Sequence, residues 1–193
     1  MVYFTPAFRT YVATPESKKY SLNPWTDPIG HIQRQIAHAN CVLQKNEIPV
    51  MLNLHCIEEL KGFVESSDPE KRLRNFRKAK KALKPLLNSA DIAVLMTGSS
   101  TEKTLGTAFL GPAEKTGEPP IAWVFPVHDW TLIHEIGHLF GCLHNREAHR
   151  PHKIKSNAGF LVEESNMATI NAYFDETHDL QIPYFSSNID EDQ

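Results

Sequence analysis

The sequence predicts a single α/β domain of about five strands and two long helices. Three observations predict it. Apolar patterns of period two and period 3.6 alternate along the chain in the order strand, helix, strand, helix, three strands. The 193 residues, 41% hydrophobic and 22% charged, have the size and composition of one chain folded around one core. No internal repeat and no linker divides them.

Val2 to Arg9 reads as a short first strand broken by Pro6, and residues 10–24 read as a loop rich in Ser, Pro and Asn. Asp27-Pro28 opens a helix that runs to about Asn46, with proline suited to its first turn. Ile29, Ile32, Ile36, Ala39 and Leu43 give it one apolar face. Pro49 to Ile57 alternates and reads as a second strand. Asp68-Pro69 opens a second helix, with Leu73, Phe76, Leu83, Leu86 and Leu87 as its buried stripe. Its other face carries Lys71, Arg72, Arg74, Arg77, Lys78, Lys80, Lys81 and Lys84 and reads as solvated, with a polyanion-binding patch as the alternative. Ala90 to Met96, Leu105 to Leu110 and Ile121 to Phe125 complete the strands.

Composition excludes some partners. The net charge of -3 argues against bulk attraction to nucleic acid, and no apolar run is long enough to span a membrane. The N-terminus lacks a basic region followed by an apolar stretch, so the chain either stays inside the cell or has had a leader removed. Cys41, Cys56 and Cys142 are too few for a disulfide-built scaffold, and Cys41–Cys56 is the better candidate for one bridge.

Residues 134–144 read His-Glu-Ile-Gly-His-Leu-Phe-Gly-Cys-Leu-His. On a helix, His134 and His138 project from one face a turn apart, where both can hold one Zn2+ ion. Glu135 is placed to take a proton from a water at the metal rather than to bind the metal itself. Gly141 can adopt the left-handed conformation that ends a helix, which lets His144 approach as third ligand and leaves a fourth position open. Cys142 on an uninterrupted helix, or Glu163 or Glu164 from a later segment, are the rival third ligands. His31, His38, His55, His149, His152 and His178 read as surface or supporting groups, and His128 lacks ligand spacing.

Through these residues the sequence resembles the metzincin zinc endopeptidases. Val2 to Pro6, the two long helices, Ala90 to Gly98 and Leu105 to Gly111 are similar to their reprolysin (adamalysin-type) branch. The resemblance implies a metzincin-type catalytic domain, α/β with a mixed twisted sheet of about five strands, backing helices and an active-site helix, with an upper part over 1–141 and a smaller lower part over 142–193. It implies one catalytic Zn2+, a Met-turn at Met167 beneath the ligands, and a substrate-binding edge strand at Gly106, Thr107, Ala108 and Phe109. An extended polypeptide would add to that edge as an antiparallel strand. It also implies a secreted, extracellular, monomeric domain, although the many disulfides of extracellular relatives are absent. Nothing in the sequence speaks for or against a structural Ca2+. Asn145 stands where the family usually has Asp, and Thr169 where some metzincins have a tyrosine. Tyr173 and Tyr184 are the candidate oxyanion stabilisers. The tail Ile182-Pro183-Tyr184-Phe185-Ser186 is also similar to the branch, without an evident chemical role.

Zinc endopeptidase action is the function this reading implies. A non-catalytic zinc- or peptide-binding module and an aminopeptidase are the alternatives. Retention of Glu135 weighs against a purely structural metal, which needs no base.

Overall fold

A computed structural model describes residues 1–15, 17, 27–82, 90–101, 104–109, 120–144, 159, 161–162, 167–172 and 180–185. Strands β1 (Val2–Phe4), β2 (Ile57–Glu59), β3 (Ala93–Met96), β4 (Gly106–Ala108) and β5 (Ile121–Val124) form one sheet in the order β2-β1-β3-β5-β4. β1, β2, β3 and β5 are parallel, and β4 pairs antiparallel with β5 at the sheet's edge. The predicted mixed α/β sheet of five strands is therefore the one observed.

Every residue of β1, β3 and β5 is buried, as parallel strands covered on both faces require. Alternate side chains feed two cores. Phe4, Val94, Met96 and Val124 face helices α1 (Pro6–Val12), α2 (Pro28–Lys45) and α4 (Thr131–Leu139) through Phe8, Ile32, Leu43, Leu132, Ile133 and Ile136. Tyr3, Leu95 and Trp123 face α3 (Pro69–Ala82) through Leu73 and Phe76. A smaller sheet of β6 (Leu161–Val162), β7 (Met167–Ala168) and β8 (Leu180–Gln181) follows the histidine motif of residues 134–144. No helix among the described residues is long and apolar enough to cross a membrane.

Several local expectations need correction. Pro6 does not interrupt a strand: it starts α1, whose N-cap Thr5 accepts a hydrogen bond from the Phe8 amide at 3.0 Å. Residues 49–56 alternate but form no strand. The Leu52 amide donates to Asn40 Oδ1 at 2.7 Å and its carbonyl accepts from Asn40 Nδ2 at 3.0 Å, so a side chain satisfies backbone groups that a ladder would have used. Ile29, expected in the apolar face of α2, is 47% exposed.

The basic face of α3 is not uniformly solvated. Arg72 is buried over the Trp123 ring, 4.4 Å from guanidinium carbon to centroid. Its Nε donates to the Ser66 carbonyl at 2.8 Å and its Nη1 to the Ser99 carbonyl at 2.6 Å. Lys80 is buried too. All three cysteines are free, so the Cys41–Cys56 bridge does not form. Cys41 is exposed on α2, whereas Cys56 packs against the core on the α3 side.

His31, read as a surface or supporting group, is buried on α2 with its ring 5.6 Å from that of Phe8, and its Nε2 has no hydrogen-bond partner among the described residues. Loss of hydration pushes its pKa down to about 4; nearby Arg34 adds to this and Asp129 opposes it. The unfolded imidazole titrates near 6.5, so between those values the unfolded state binds more protons. Stability is expected to fall as pH drops through this window, by up to about 3 kcal/mol from this residue. Urea unfolding at pH 7 and pH 4.5 checks it: His31→Phe should lose less stability between the two than the parent chain. Equal losses would refute the assignment.

Candidate metal centre

Helix α4 carries the centre and is held at both ends. At its start, Asp129 accepts from Arg34 Nη1 at 2.9 Å and from Gln35 Nε2 at 3.1 Å, and the Trp130 ring lies 4.7 Å from that of His38. Three residues of α2 thus fix the point where α4 begins. Leu132, Ile133, Ile136 and Leu139 are buried and hold the helix to the core.

At its other end, Gly141 has φ of 93°. The Gly141 amide donates to the His138 carbonyl and the Cys142 amide to the Gly137 carbonyl, each at 2.9 Å, which together make the Schellman cap. A residue with a Cβ is strained at that φ, so the glycine lets the chain turn. The reversal brings His144 back to the helix face, as the sequence reading expected.

The Nε2 atoms of His134, His138 and His144 converge. His138 Nε2 is 3.1 Å from that of His134 and 3.0 Å from that of His144, and the remaining pair is 3.3 Å apart. Three corners of a tetrahedron around a metal with bonds of about 2.0–2.1 Å would be about 3.3–3.4 Å apart, so the spacing fits a zinc ion. Tautomers make the argument stronger. His134 Nδ1 lies 2.6 Å from the Ile170 carbonyl and His138 Nδ1 lies 2.7 Å from the Cys142 carbonyl. A carbonyl only accepts, so each Nδ1 carries the hydrogen and each Nε2 of a neutral ring presents a lone pair. Two lone pairs 3.1 Å apart repel unless a cation lies between them. Burial and then the neighbouring His138 push the His134 pKa down to about 4, which keeps that ring neutral, as a ligand must be.

The three histidines are the only group of this kind among the described residues. Cys142, the rival ligand, contributes its carbonyl to His138 instead, and burial raises its thiol pKa away from the thiolate a metal needs. Glu163 and Glu164 lie outside the described residues, as do His149, His152 and His178.

Glu135 is buried beside His134, with its carboxylate against β4. A Cβ added to Gly106 would lie 2.5 Å from Glu135 Oε1 and 2.6 Å from its Cγ, so Gly106 provides the clearance the carboxylate occupies. Glu135 Oε2 has no hydrogen-bond partner among the described residues, and loss of hydration raises the carboxyl pKa to about 8. Gly106, Thr107 and Ala108 form β4 in register with Val124, Trp123 and Ala122. The Phe109 ring lies under the Arg77 guanidinium of α3 at 4.4 Å.

Met167 is half-buried in β7, paired with Val162 and Leu180. The side chains that close on the ligand helix at Gly137 are Asn171 and Phe185, neither of which the sequence reading had singled out as a site residue. Tyr184 is 43% exposed with Lys45 Nζ 5.1 Å from its ring centroid, and Tyr173 lies outside the described residues.

A five-strand mixed sheet with a helix of this kind beside its edge strand is the metzincin-type fold. The sequence profile described as metallo-peptidase family M12B, reprolysin-like, matches residues 29–145, more than half of the chain. The chain belongs to that family. It is also similar to a chain in the structure of a chaperone-substrate complex, at 13% identity and TM-score 0.62, covering 96% of this chain and 30% of that one. A second similar structure is metalloproteinase-II from Bacteroides fragilis, at 18% identity and TM-score 0.46, covering 74% of this chain and 42% of that one. This chain therefore spans less than half the length of either. At 13% identity the first likeness speaks for fold alone. No curated protein matches the chain.

Proposed function

We propose that the chain is a zinc endopeptidase domain acting on extended polypeptides, with His134, His138 and His144 as metal ligands and Glu135 as catalytic base. The observation that carries this reading is the pair of Nδ1–H donors to carbonyls, which turns the histidine Nε2 lone pairs toward one point; the next residue after His134 is the buried Glu135, whose Oε2 has no hydrogen-bond partner among the described residues. Zinc, when bound, supplies a Lewis acid that polarises a carbonyl and acidifies a water.

The chain's own residues do the rest. Glu135 accepts the proton of the attacking water at its carboxylate and returns it to the departing amine. In the metal-free chain burial raises its pKa, which strengthens the carboxylate's hold on a proton. Gly106 keeps the space into which that carboxylate fits. β4 has β5 on one side and is last in its sheet, so a substrate segment would lie antiparallel along Gly106, Thr107, Ala108 and Phe109. In this reading residues 1–141 form the upper part of one catalytic domain and 142–193 the lower, with the cleft between.

The test is an unstructured peptide blocked at its N-terminus, incubated with zinc-loaded chain. Internal cleavage that a chelator abolishes and zinc restores is the expected result. Cleavage only of unblocked peptide would mean an aminopeptidase. Zinc binding with no cleavage of any unfolded substrate would favour the non-catalytic module.

A further inference from the structure

We infer that Asn171 is a positioning residue for the metal centre, clamping His134 so that its Nε2 faces the other two histidines. The inference rests on the three-histidine reading given above. Asn171 is 2% exposed, and its Nδ2 donates to the main-chain carbonyl of His134 at 3.0 Å. The preceding residue, Ile170, accepts at its carbonyl from Nδ1 of the same histidine at 2.6 Å. Two consecutive residues thus hold one ligand at two points, its backbone and its ring.

The surroundings are shaped for this amide. Gly137 stands between the two helical ligands, where alanine would serve helix formation better. A Cβ there would lie 2.9 Å from Asn171 Nδ2 and 2.9 Å from the Phe185 ring, and closer still to Asn171 Oδ1. Behind the clamp, the Ile170 amide donates to the Tyr184 carbonyl at 2.9 Å. The Phe185 amide donates to Asn46 Oδ1 at 2.9 Å, and Asn46 Nδ2 donates to the Pro183 carbonyl at 2.9 Å. The tail segment 182–185 is thereby fastened to the end of α2 and supports residues 170–171 against α4.

A purely space-filling role does not explain this choice of residue. Asn171 Oδ1 is buried with no hydrogen-bond partner among the described residues, so a hydrocarbon of similar size would fill the same space without leaving an acceptor unsatisfied. The Nδ2 bond to His134 is what such a hydrocarbon would lose. The partner that fixes the His134 ring and its tautomer is the Ile170 carbonyl, and Asn171, next in the chain and bonded to the same histidine's backbone, holds that carbonyl in place; loss of such outer support typically weakens metal binding about 10–100-fold.

Asn171→Leu tests the inference, because leucine keeps the bulk and removes the donor. Zinc affinity is read by competition with a chromophoric chelator, beside the melting midpoint of the metal-free chain and the His134 tautomer from ¹⁵N chemical shifts. Zinc binding weakened about 10–100-fold, with the metal-free midpoint held or raised and less Nδ1–H tautomer at His134, is expected. Zinc affinity within twofold of the parent overturns it. Should the variant not fold, the unaltered chain decides: the Asn171 side-chain amide must show slowed solvent exchange, and exchange at the rate of a free amide overturns the clamp. A parent chain that binds no zinc would instead sink the three-histidine reading, and this inference with it.

Discussion

Glu135→Gln is expected to lower kcat/KM for peptide hydrolysis by about 10²–10⁴-fold while the chain still takes up one zinc. Glutamine keeps the volume that sits against Gly106 and leaves the histidine bonds to Ile170 and Cys142 intact, so the ligands stay in place. It removes the carboxylate proposed to accept the water's proton. A second readout separates chemistry from folding. In the metal-free chain, burial raises the Glu135 pKa to about 8 from an ordinary 4.5. Between those values the unfolded state is ionised and the folded state holds the proton, so the parent loses stability as pH rises through that window. Glutamine cannot ionise, and the metal-free variant should therefore be the more stable of the two at pH 8. Activity within tenfold of the parent would show that Glu135 is not the base.

His138→Ala is expected to remove zinc binding and hydrolysis together. This ring is within 3.1 Å of both other ligands, the nearest of the three to a common centre, and its Nδ1 is fixed by the turn that Gly141 makes. Losing a direct ligand should cost more than the roughly 10–100-fold typical of an outer partner. Thermal unfolding reports it without any substrate. At a hundredfold excess of zinc over its Kd, binding adds about 2.7 kcal/mol, which for a chain of this size raises Tm by about 5–10 °C. The parent should show that rise and His138→Ala should not. An equal rise in both would place the metal elsewhere.

The convergence of the three histidines was legible in the sequence because its logic is local. Helical spacing sets His134 and His138 on one face, and a single left-handed glycine brings His144 to them. The sheet was legible for a related reason: β1, β3 and β5 are apolar throughout, as fully covered strands must be. What sequence did not reveal depends on partners distant in the chain. Residues 49–57 alternate as a strand would, yet Asn40 on α2 takes the Leu52 backbone bonds, and only Ile57 enters the sheet. His31 carries no mark of burial; Phe8, more than twenty positions earlier, covers it. Asn171 looks like any turn residue until Gly137 is seen to leave room for it. The Thr5-Pro6 helix start, by contrast, was a local signal that the strand-like residues before it obscured.

The most direct test of the central claim is a zinc titration of the metal-free chain, with the initial rate of blocked-peptide cleavage followed at each addition. A rate that climbs linearly from zero and levels at one equivalent is expected if the three histidines hold the catalytic ion. A rate that is already full without zinc, or that stays at zero while one equivalent binds, would contradict it.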